Sequence, residues 1–171
     1  GRVATDILYE NMMEKFEWGN MDKENIYMDE NIIRMTTNLR LQFSNLADAL
    51  MTEGDNERAK NALDRSLEVM PDRTVPYSRV LLPTIEEYYE LGEFEKANGL
   101  TDTLFNRYEE EIDYYLSLDL GYVSSIQEDM QIANYMLQRF VQLTTLVYPQ
   151  GEYGDSLRTR AEVMNVMVNE K

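Results

Sequence analysis

The sequence has 171 residues, of which 43% are hydrophobic, and its 16 Lys and Arg are outnumbered by 32 Asp and Glu, giving a formal net charge of −16. This length suits one domain with a continuous core, and the negative field repels phosphate backbones and anionic lipids, so we expect no nucleic-acid partner. Because the chain has no Cys and no His, disulfides, thiolate or imidazole metal ligands and Ser-His or Cys-His nucleophile pairs are excluded, and we expect neither a cofactor nor catalysis.

The first predicted element is an amphipathic helix from Thr5 to Phe16, which Thr5 or Asp6 can cap. Trp18 follows this helix and is expected to pack against the next layer. Residues 20–31 form a polar loop. The loop lacks the central Gly and the ligand spacing of a calcium loop, so no metal is expected there.

A helical hairpin is predicted next. Its first helix runs from about Asp29 to Thr52, its turn lies at Gly54-Asp55, and its second helix covers residues 56–70. The apolar stripes of these helices comprise Leu39, Phe43, Leu46, Ala47 and Leu50, then Ala59, Ala62, Leu63, Leu67 and Met70. The small residues Ala47 and Ala59 would let the two backbones approach to about 8–10 Å.

The hairpin pattern returns downstream. Gly92 and Ala97 repeat Gly54 and Ala59 at an offset of 38 residues. Pro83 lies in the first helix of this second repeat and should kink that helix or delay its start. The adjacent tyrosines Tyr88-Tyr89 and Tyr114-Tyr115 should each place one ring toward the core.

A third and weaker repeat follows, with Ala133 in the place of Ala97. Residues 127–147 should form a long helix, which Pro149-Gln150-Gly151 ends. A last helix, capped by Asp155, should cover the open end of the stack, so deleting residues 152–171 should expose the core.

The first hairpin resembles a tetratricopeptide repeat, whose period is about 34 residues. The residues that carry the resemblance are Leu46, Ala47, Leu50, Gly54, Ala59, Leu63 and Pro71. It implies a single all-α domain over residues 1–171, built as a right-handed helical-repeat superhelix of about eight helices. The repeats would cover approximately residues 40–73, 78–111 and 114–147, with an N-terminal extension helix and a capping helix at residues 155–169.

Three other stretches carry a second resemblance: FEWGNMDKENIYMDENIIRM at residues 16–35, RLQFSNLADALMTEGDNERA at residues 40–59 and VPYS at residues 75–78. They resemble the C-terminal soluble region of an uncharacterised bacterial family of multi-pass membrane proteins, similar to GT-C glycosyltransferases of the protein O-mannosyltransferase type. The resemblance implies a soluble fragment of a larger membrane protein, on the periplasmic face of the inner membrane. It leaves any catalysis to the membrane region, so no catalytic residue is assigned here.

Tetratricopeptide repeats bind partners along the first helix of each repeat. Transferring those positions gives nine candidate residues: Asn45, Asp48, Arg79, Glu86, Tyr89, Glu90, Tyr115, Asp119 and Tyr122. This acidic and aromatic set predicts a non-catalytic scaffold for a basic or aromatic peptide of a partner protein, or for the membrane domain of the same chain. Two alternatives remain: a carbohydrate-binding or carbohydrate-active accessory domain that uses the tyrosines and carboxylates, and a structural lid or dimerisation domain. The sequence does not determine the oligomeric state.

Overall fold

The computed structural model describes residues 4–23, 26–118 and 123–170. Within these ranges the protein is all-α, as predicted, with seven α-helices where about eight were expected. The helices are α1 Thr5–Glu10, α2 Glu30–Thr52, α3 Asn56–Val69, α4 Leu82–Glu90, α5 Phe94–Ser117, α6 Val123–Gln142 and α7 Glu152–Glu170. None of them, over the described residues, combines the length and apolar character needed to cross a bilayer.

The chain divides into two compact units, Gly1–Ala97 and Asn98–Lys171. The boundary falls just inside the start of α5. We call these the N-terminal unit and the C-terminal unit and describe each by itself.

Helix α1 lacks the predicted cap. Ala4 precedes it, and no side chain hydrogen-bonds to its first turn. The Thr5 hydroxyl instead donates to a Glu53 carboxylate oxygen at 2.8 Å, and Asp6 accepts from Arg58 at 2.9 Å. Both candidate caps are therefore occupied by partners distant in sequence.

The first helix is also shorter than predicted, since α-helical geometry ends at Glu10 and a π-helical turn, Asn11–Lys15, follows. Trp18 then packs as predicted. Its ring centroid lies 5.3 Å from that of Phe43 on α2 and 5.9 Å from that of Phe16. This aromatic contact fixes the entry segment onto α2.

Helices α2 and α3 form the predicted hairpin. Asp29 caps α2 by accepting from the Ile32 amide at 2.9 Å, and Asp55 caps α3 by accepting from the Arg58 amide at 3.1 Å. Ala47 and Ala59 are fully buried, which is consistent with close approach of the two helices.

The turns at Gly54 and Gly92 have the same hydrogen-bond pattern. Both glycines have positive φ, +83° and +76°, a conformation that a Cβ disfavours. The Asp55 amide donates to the Leu50 carbonyl at 2.8 Å, and the Glu93 amide donates to the Tyr88 carbonyl at 2.9 Å. Each turn thus ends its helix with the glycine-dependent Schellman bond, and the two turns are 38 residues apart.

Pro83 delays the start of α4, which is one of the two outcomes predicted for it. A 3₁₀ turn, Arg79–Leu81, precedes the helix, and Pro83 occupies its first turn, where the missing amide costs no hydrogen bond. Tyr88 and Tyr89 are both buried, so this pair places two rings in the core where one was expected. The Tyr88 hydroxyl donates to Asp64 on α3 at 2.7 Å, whereas the Tyr89 ring lies 6.4 Å from that of Phe94.

Arg40 holds the connection between α3 and α4. Its side chain is fully buried, and its Nη2 donates to the carbonyls of Met70 at 2.6 Å and Val75 at 3.0 Å. The guanidinium carbon lies 4.9 Å from the centroid of the Tyr77 ring. Burial lowers the pKa of Arg40, and its Nε and Nη1 have no hydrogen-bond partner within the described residues.

The C-terminal unit packs the later part of α5 with α6 and α7. Phe105 on α5 lies 6.5 Å from Phe140 on α6, centroid to centroid. The Tyr153 hydroxyl of α7 donates to the Asp102 carboxylate at 2.9 Å. At the start of α7, an added Cβ on Gly154 would lie 2.4 Å from the Thr144 carbonyl oxygen, so only glycine fits this crossing.

The third predicted repeat lacks a separate first helix in the described residues. Residues 114–117, assigned to it, are the end of α5. The second helix of this repeat agrees with the helix predicted for residues 127–147, because α6 continues as a π-helical turn over Leu143–Val147. Helix α7 begins three residues before the predicted Asp155 cap. Leu157 and Ala161 of α7 are buried.

Candidate partner-binding surface

Six of the nine candidate residues lie in the N-terminal unit. Asn45 and Asp48 are on α2; Glu86, Tyr89 and Glu90 are on α4; and Arg79 is in the preceding 3₁₀ turn. In the C-terminal unit Tyr115 lies near the end of α5. Asp119 and Tyr122 lie outside the described residues. The candidates that the structure brings together are therefore those on α2 and α4.

Helices α2 and α4 pack against each other. The hydroxyls of Ser44 on α2 and Thr84 on α4 are 2.8 Å apart. Ser44 also hydrogen-bonds to Glu87 of α4, and the charge of Asp48, one turn further along α2, acts on the same carboxyl.

Exposure separates the candidates on these helices. Asn45, Asp48 and Glu90 are exposed, and Glu86 is half-buried. Tyr89 is only 1% exposed, so it is a core residue and not the surface tyrosine that we predicted. The physical reason is its place beside Phe94, which covers it from the following helix.

Glu87 is the residue that the sequence analysis missed. Its side chain is 9% exposed. Its pKa is raised from the ordinary 4.5 to about 9. Burial is the largest cause, a hydrogen bond with Ser44 acts against it, and the charges of Asp48, Glu86 and Glu90 add to it. At neutral pH the carboxyl is therefore protonated.

The sequence carried one signal for this burial. Glu87 follows Thr84 by three positions and Tyr88 adjoins it, so on a helical projection it borders the apolar stripe of Leu81, Ile85 and Tyr88. A carboxylate at the border of a stripe is usually solvated, and only the approach of α2 removes Glu87 from water.

We call the group of Asp48, Glu86, Glu87 and Glu90 the acidic surface. The charges of three carboxylates on α2 and α4 act on one buried carboxyl, and this concentration of negative charge attracts cations. Among the described residues, no group of three or more acids is placed to hold a metal ion.

Of the clefts elsewhere in the described residues, two are mainly apolar. One of about 270 Å³ in the C-terminal unit is lined by Tyr115, Ile126, Met130 and Asn134, among others. Tyr115 is half-buried there, and burial raises its pKa. The other, of about 660 Å³, lies beside Trp18 in the N-terminal unit. Both are mainly apolar and carry none of the clustered charge found on α2 and α4.

No protein-family model matches the chain, and comparisons with curated proteins and with solved structures gave no match. The resemblances to tetratricopeptide repeats and to membrane glycosyltransferases therefore stay predictions.

Proposed function

We propose that this protein is a non-catalytic helical scaffold that binds a cationic segment of a partner protein on the acidic surface. The observation that supports the proposal is that Asp48, Glu86 and Glu90 lie near enough for their charges to act on the buried carboxyl of Glu87. Helices α2 and α4, which carry these side chains, are joined by the hydrogen bond between Ser44 and Thr84.

The repeated turns support a repeat scaffold. Gly54 and Gly92 end α2 and α4 with the same bond pattern, and Ala59 and Ala97 are both fully buried at the following positions. In our proposal α2 with α3, and α4 with the start of α5, are two consecutive tetratricopeptide-like repeats. The acidic surface then lies on the first helices, the side that such repeats use for peptides.

A cationic protein segment is favoured over other partners by charge. The chain carries a net charge of −16, and exposed carboxylates on two helices offer several acceptors to one arginine or lysine. Hydrogen bonds between such ions are about twice as strong as neutral ones. On the sequence resemblance of residues 16–35, we place the scaffold at the periplasmic face of a membrane glycosyltransferase-like protein, whose membrane domain is one candidate partner.

The carbohydrate alternative depended on tyrosine rings that stack on sugars. Tyr89 is buried and Tyr122 lies outside the described residues. No observation on the acidic surface favours a sugar over a cation, so we propose only the scaffold.

A charge-matched comparison tests the proposal. The site variant Asp48→Asn/Glu86→Gln/Glu90→Gln removes three charges from the acidic surface. The control variant Glu110→Gln/Asp113→Asn/Glu128→Gln removes three charges from exposed positions on α5 and α6. The probe is a fluorescent peptide of alternating Arg and Gly, with citrulline in place of Arg as the neutral control, followed by fluorescence anisotropy.

At an ionic strength of about 0.15 M, remote exposed charges are screened beyond about 8 Å. We expect the wild type and the control variant to bind the arginine peptide alike, and the site variant to bind at least tenfold more weakly. Equal weakening in the two variants would show non-specific attraction and would refute the proposal.

A further inference from the structure

We propose that the cleft beside Trp18 binds a segment of a partner protein that carries an aromatic side chain and, two residues away, a basic one. The cleft lies in the N-terminal unit, beside the first half of α2, and shares no residue with the acidic surface. It is a second contact site, and it does not depend on binding at the acidic surface.

The cleft is apolar and open to solvent. Its volume of about 660 Å³ lies within the roughly 300–1,000 Å³ that is usual for ligand pockets. Three of its lining side chains are unusually exposed for large apolar groups: Phe16 at 48%, Tyr27 at 87% and Ile32 at 42%. A group of exposed apolar side chains in a chain of net charge −16 marks a contact surface.

The walls of the cleft are held by contacts within the N-terminal unit. The Trp18 ring packs on Phe43, with 5.3 Å between the centroids. The Met21 amide donates to the Trp18 carbonyl at 3.1 Å, and the Met21 side chain is buried. Another wall is the start of α2, where Asp29 accepts from the Ile32 amide. Because these walls are in place without a partner, binding requires little ordering of the protein.

The lining favours an aromatic occupant. It includes the rings of Phe16, Trp18 and Tyr27 and the side chains of Met21 and Met28. Aromatic rings gain from contact with one another beyond the area that they bury, and methionine sulfur makes favourable contacts with rings. An aliphatic side chain would gain the buried area alone. We therefore assign an aromatic side chain to this cleft.

A second cleft, of about 350 Å³, adjoins the first. Residues 16–19 line both, while the rest of the second cleft is built partly from α3. Its charged lining residues are three acids and one base: Glu17, Asp22, Glu68 and Arg65. The second cleft is therefore polar and carries more negative than positive charge.

Glu17 is the carboxylate that a partner's cation can reach from both clefts. The nearby cations have other partners: Arg65 donates to Glu68 at 2.7 Å, Arg73 donates to the backbone carbonyl of Asp22, and Lys15 pairs with Glu10 at 2.8 Å. Within the described part of the chain, none of them forms an ion pair with Glu17, which is exposed. A basic side chain from a partner complements this charge.

The two clefts set the spacing of the partner's side chains. In an extended segment, side chains two residues apart point the same way and lie about 6–7 Å from each other. A segment that crosses residues 16–19 can therefore place its aromatic ring in the apolar cleft and a basic side chain in the polar cleft, near Glu17.

Trp18 reports occupancy directly, because it is the only tryptophan in the sequence and lines both clefts. The probe is a synthetic peptide, glycine-phenylalanine-glycine-arginine-glycine, blocked at both ends. One control peptide has alanine in place of phenylalanine, and the other has citrulline in place of arginine. We expect a saturable change in Trp18 emission with the probe, none with the alanine peptide, and about two- to fivefold weaker binding with the citrulline peptide.

Two variants at exposed positions test the two halves of the site. Ile32→Ser should weaken binding of the probe by about threefold or more, whereas Val163→Ser, which is 52% exposed on α7, should leave it unchanged. Glu17→Gln should weaken binding of the probe by about two- to fivefold and leave the citrulline peptide unaffected. Glu110→Gln, the charge control on α5, should change neither.

The outcomes separate this inference from the proposed function. No emission change up to about 1 mM probe, or equally tight binding of the alanine peptide, would overturn the inference whatever the variants do. Equally tight binding of the citrulline peptide would overturn the assignment of the basic side chain. The variant Asp48→Asn/Glu86→Gln/Glu90→Gln should bind the probe as the wild type does. If it did not, the probe would occupy the acidic surface, and the inference would fall while the scaffold proposal stood.

Discussion

Replacing Glu87 by Gln should remove a pH-dependent loss of stability from the N-terminal unit. Burial raises the pKa of Glu87 from 4.5 to about 9 in the folded state. Below pH 4.5 the group is protonated in both the folded and unfolded states and has no effect on stability. Above it the unfolded chain releases a proton that the folded chain retains, so the free energy of unfolding falls until the pH reaches about 9.

The size of the loss follows from the two pKa values. At pH 7 the unfolded carboxyl is about 2.5 pH units above its pKa, and at 1.36 kcal/mol per unit the cost is about 3 kcal/mol. At pH 5 the same reasoning gives about 1 kcal/mol. Glutamine keeps the shape of the protonated acid and does not titrate. The wild type should therefore lose roughly 2.5 kcal/mol relative to Glu87→Gln between pH 5 and pH 7.

Trp18 provides the assay. It is the only tryptophan in the sequence, and its contact with Phe43 places it in the same unit as Glu87. Urea unfolding followed by tryptophan fluorescence, at intervals from pH 5 to pH 8, gives the free energy of unfolding of that unit. Glu110→Gln, at an exposed position on α5, is the control and should follow the wild type within about 0.5 kcal/mol. A difference between wild type and Glu87→Gln that does not change with pH would refute the reasoning.

Three further predictions concern packing. Gly154→Ala should destabilise the C-terminal unit by about 1–3 kcal/mol, because its Cβ would clash with the Thr144 carbonyl. The control Gly99→Ala has open space around the new Cβ and should be neutral or stabilising by up to about 1 kcal/mol. Equal thermal midpoints for the two variants would contradict this prediction. Arg40→Ala should cost about 3 kcal/mol in urea unfolding and Arg40→Met less, because methionine keeps the volume without unpaired N–H groups; equal losses would count against the packing account. Deleting residues 152–171 should expose the α6 face to a hydrophobic dye, and unchanged dye binding would contradict the packing described for α7.

Local rules predicted most of the secondary structure. The α2–α3 hairpin follows from apolar periodicity, an Asp cap and a glycine turn, all encoded within a few residues. The same holds for the delayed start of α4 at Pro83. These features depend on backbone sterics and short-range hydrogen bonds, which any sequence window contains.

The remaining features depend on partners distant in sequence. Thr5 is the first residue inside α1 and not its cap, and its hydroxyl donates to Glu53, 48 residues away. Tyr89 and Glu87 are buried because other elements cover α4, which helical periodicity alone does not show. Helix α5 extends through residues 114–117, where the third repeat was expected to begin, since no Gly or Pro interrupts residues 100–117.

Only part of the candidate surface could be predicted, because its remaining part depends on contacts between residues distant in sequence. The register of the repeats identified Asp48, Glu86 and Glu90 as surface residues on first helices. It did not identify the protonated carboxyl that lies among them. The burial of that carboxyl is a property of the contact between α2 and α4, which no single stretch of sequence contains.

The most direct test of the proposed function maps the arginine peptide on the ¹⁵N-labelled protein by NMR. The account predicts that amide shift changes concentrate on residues 44–48 of α2 and 84–90 of α4, saturate with the peptide, and vanish with its citrulline counterpart. Shift changes centred on α6 and α7, or spread evenly over the acidic residues of the chain, would contradict it.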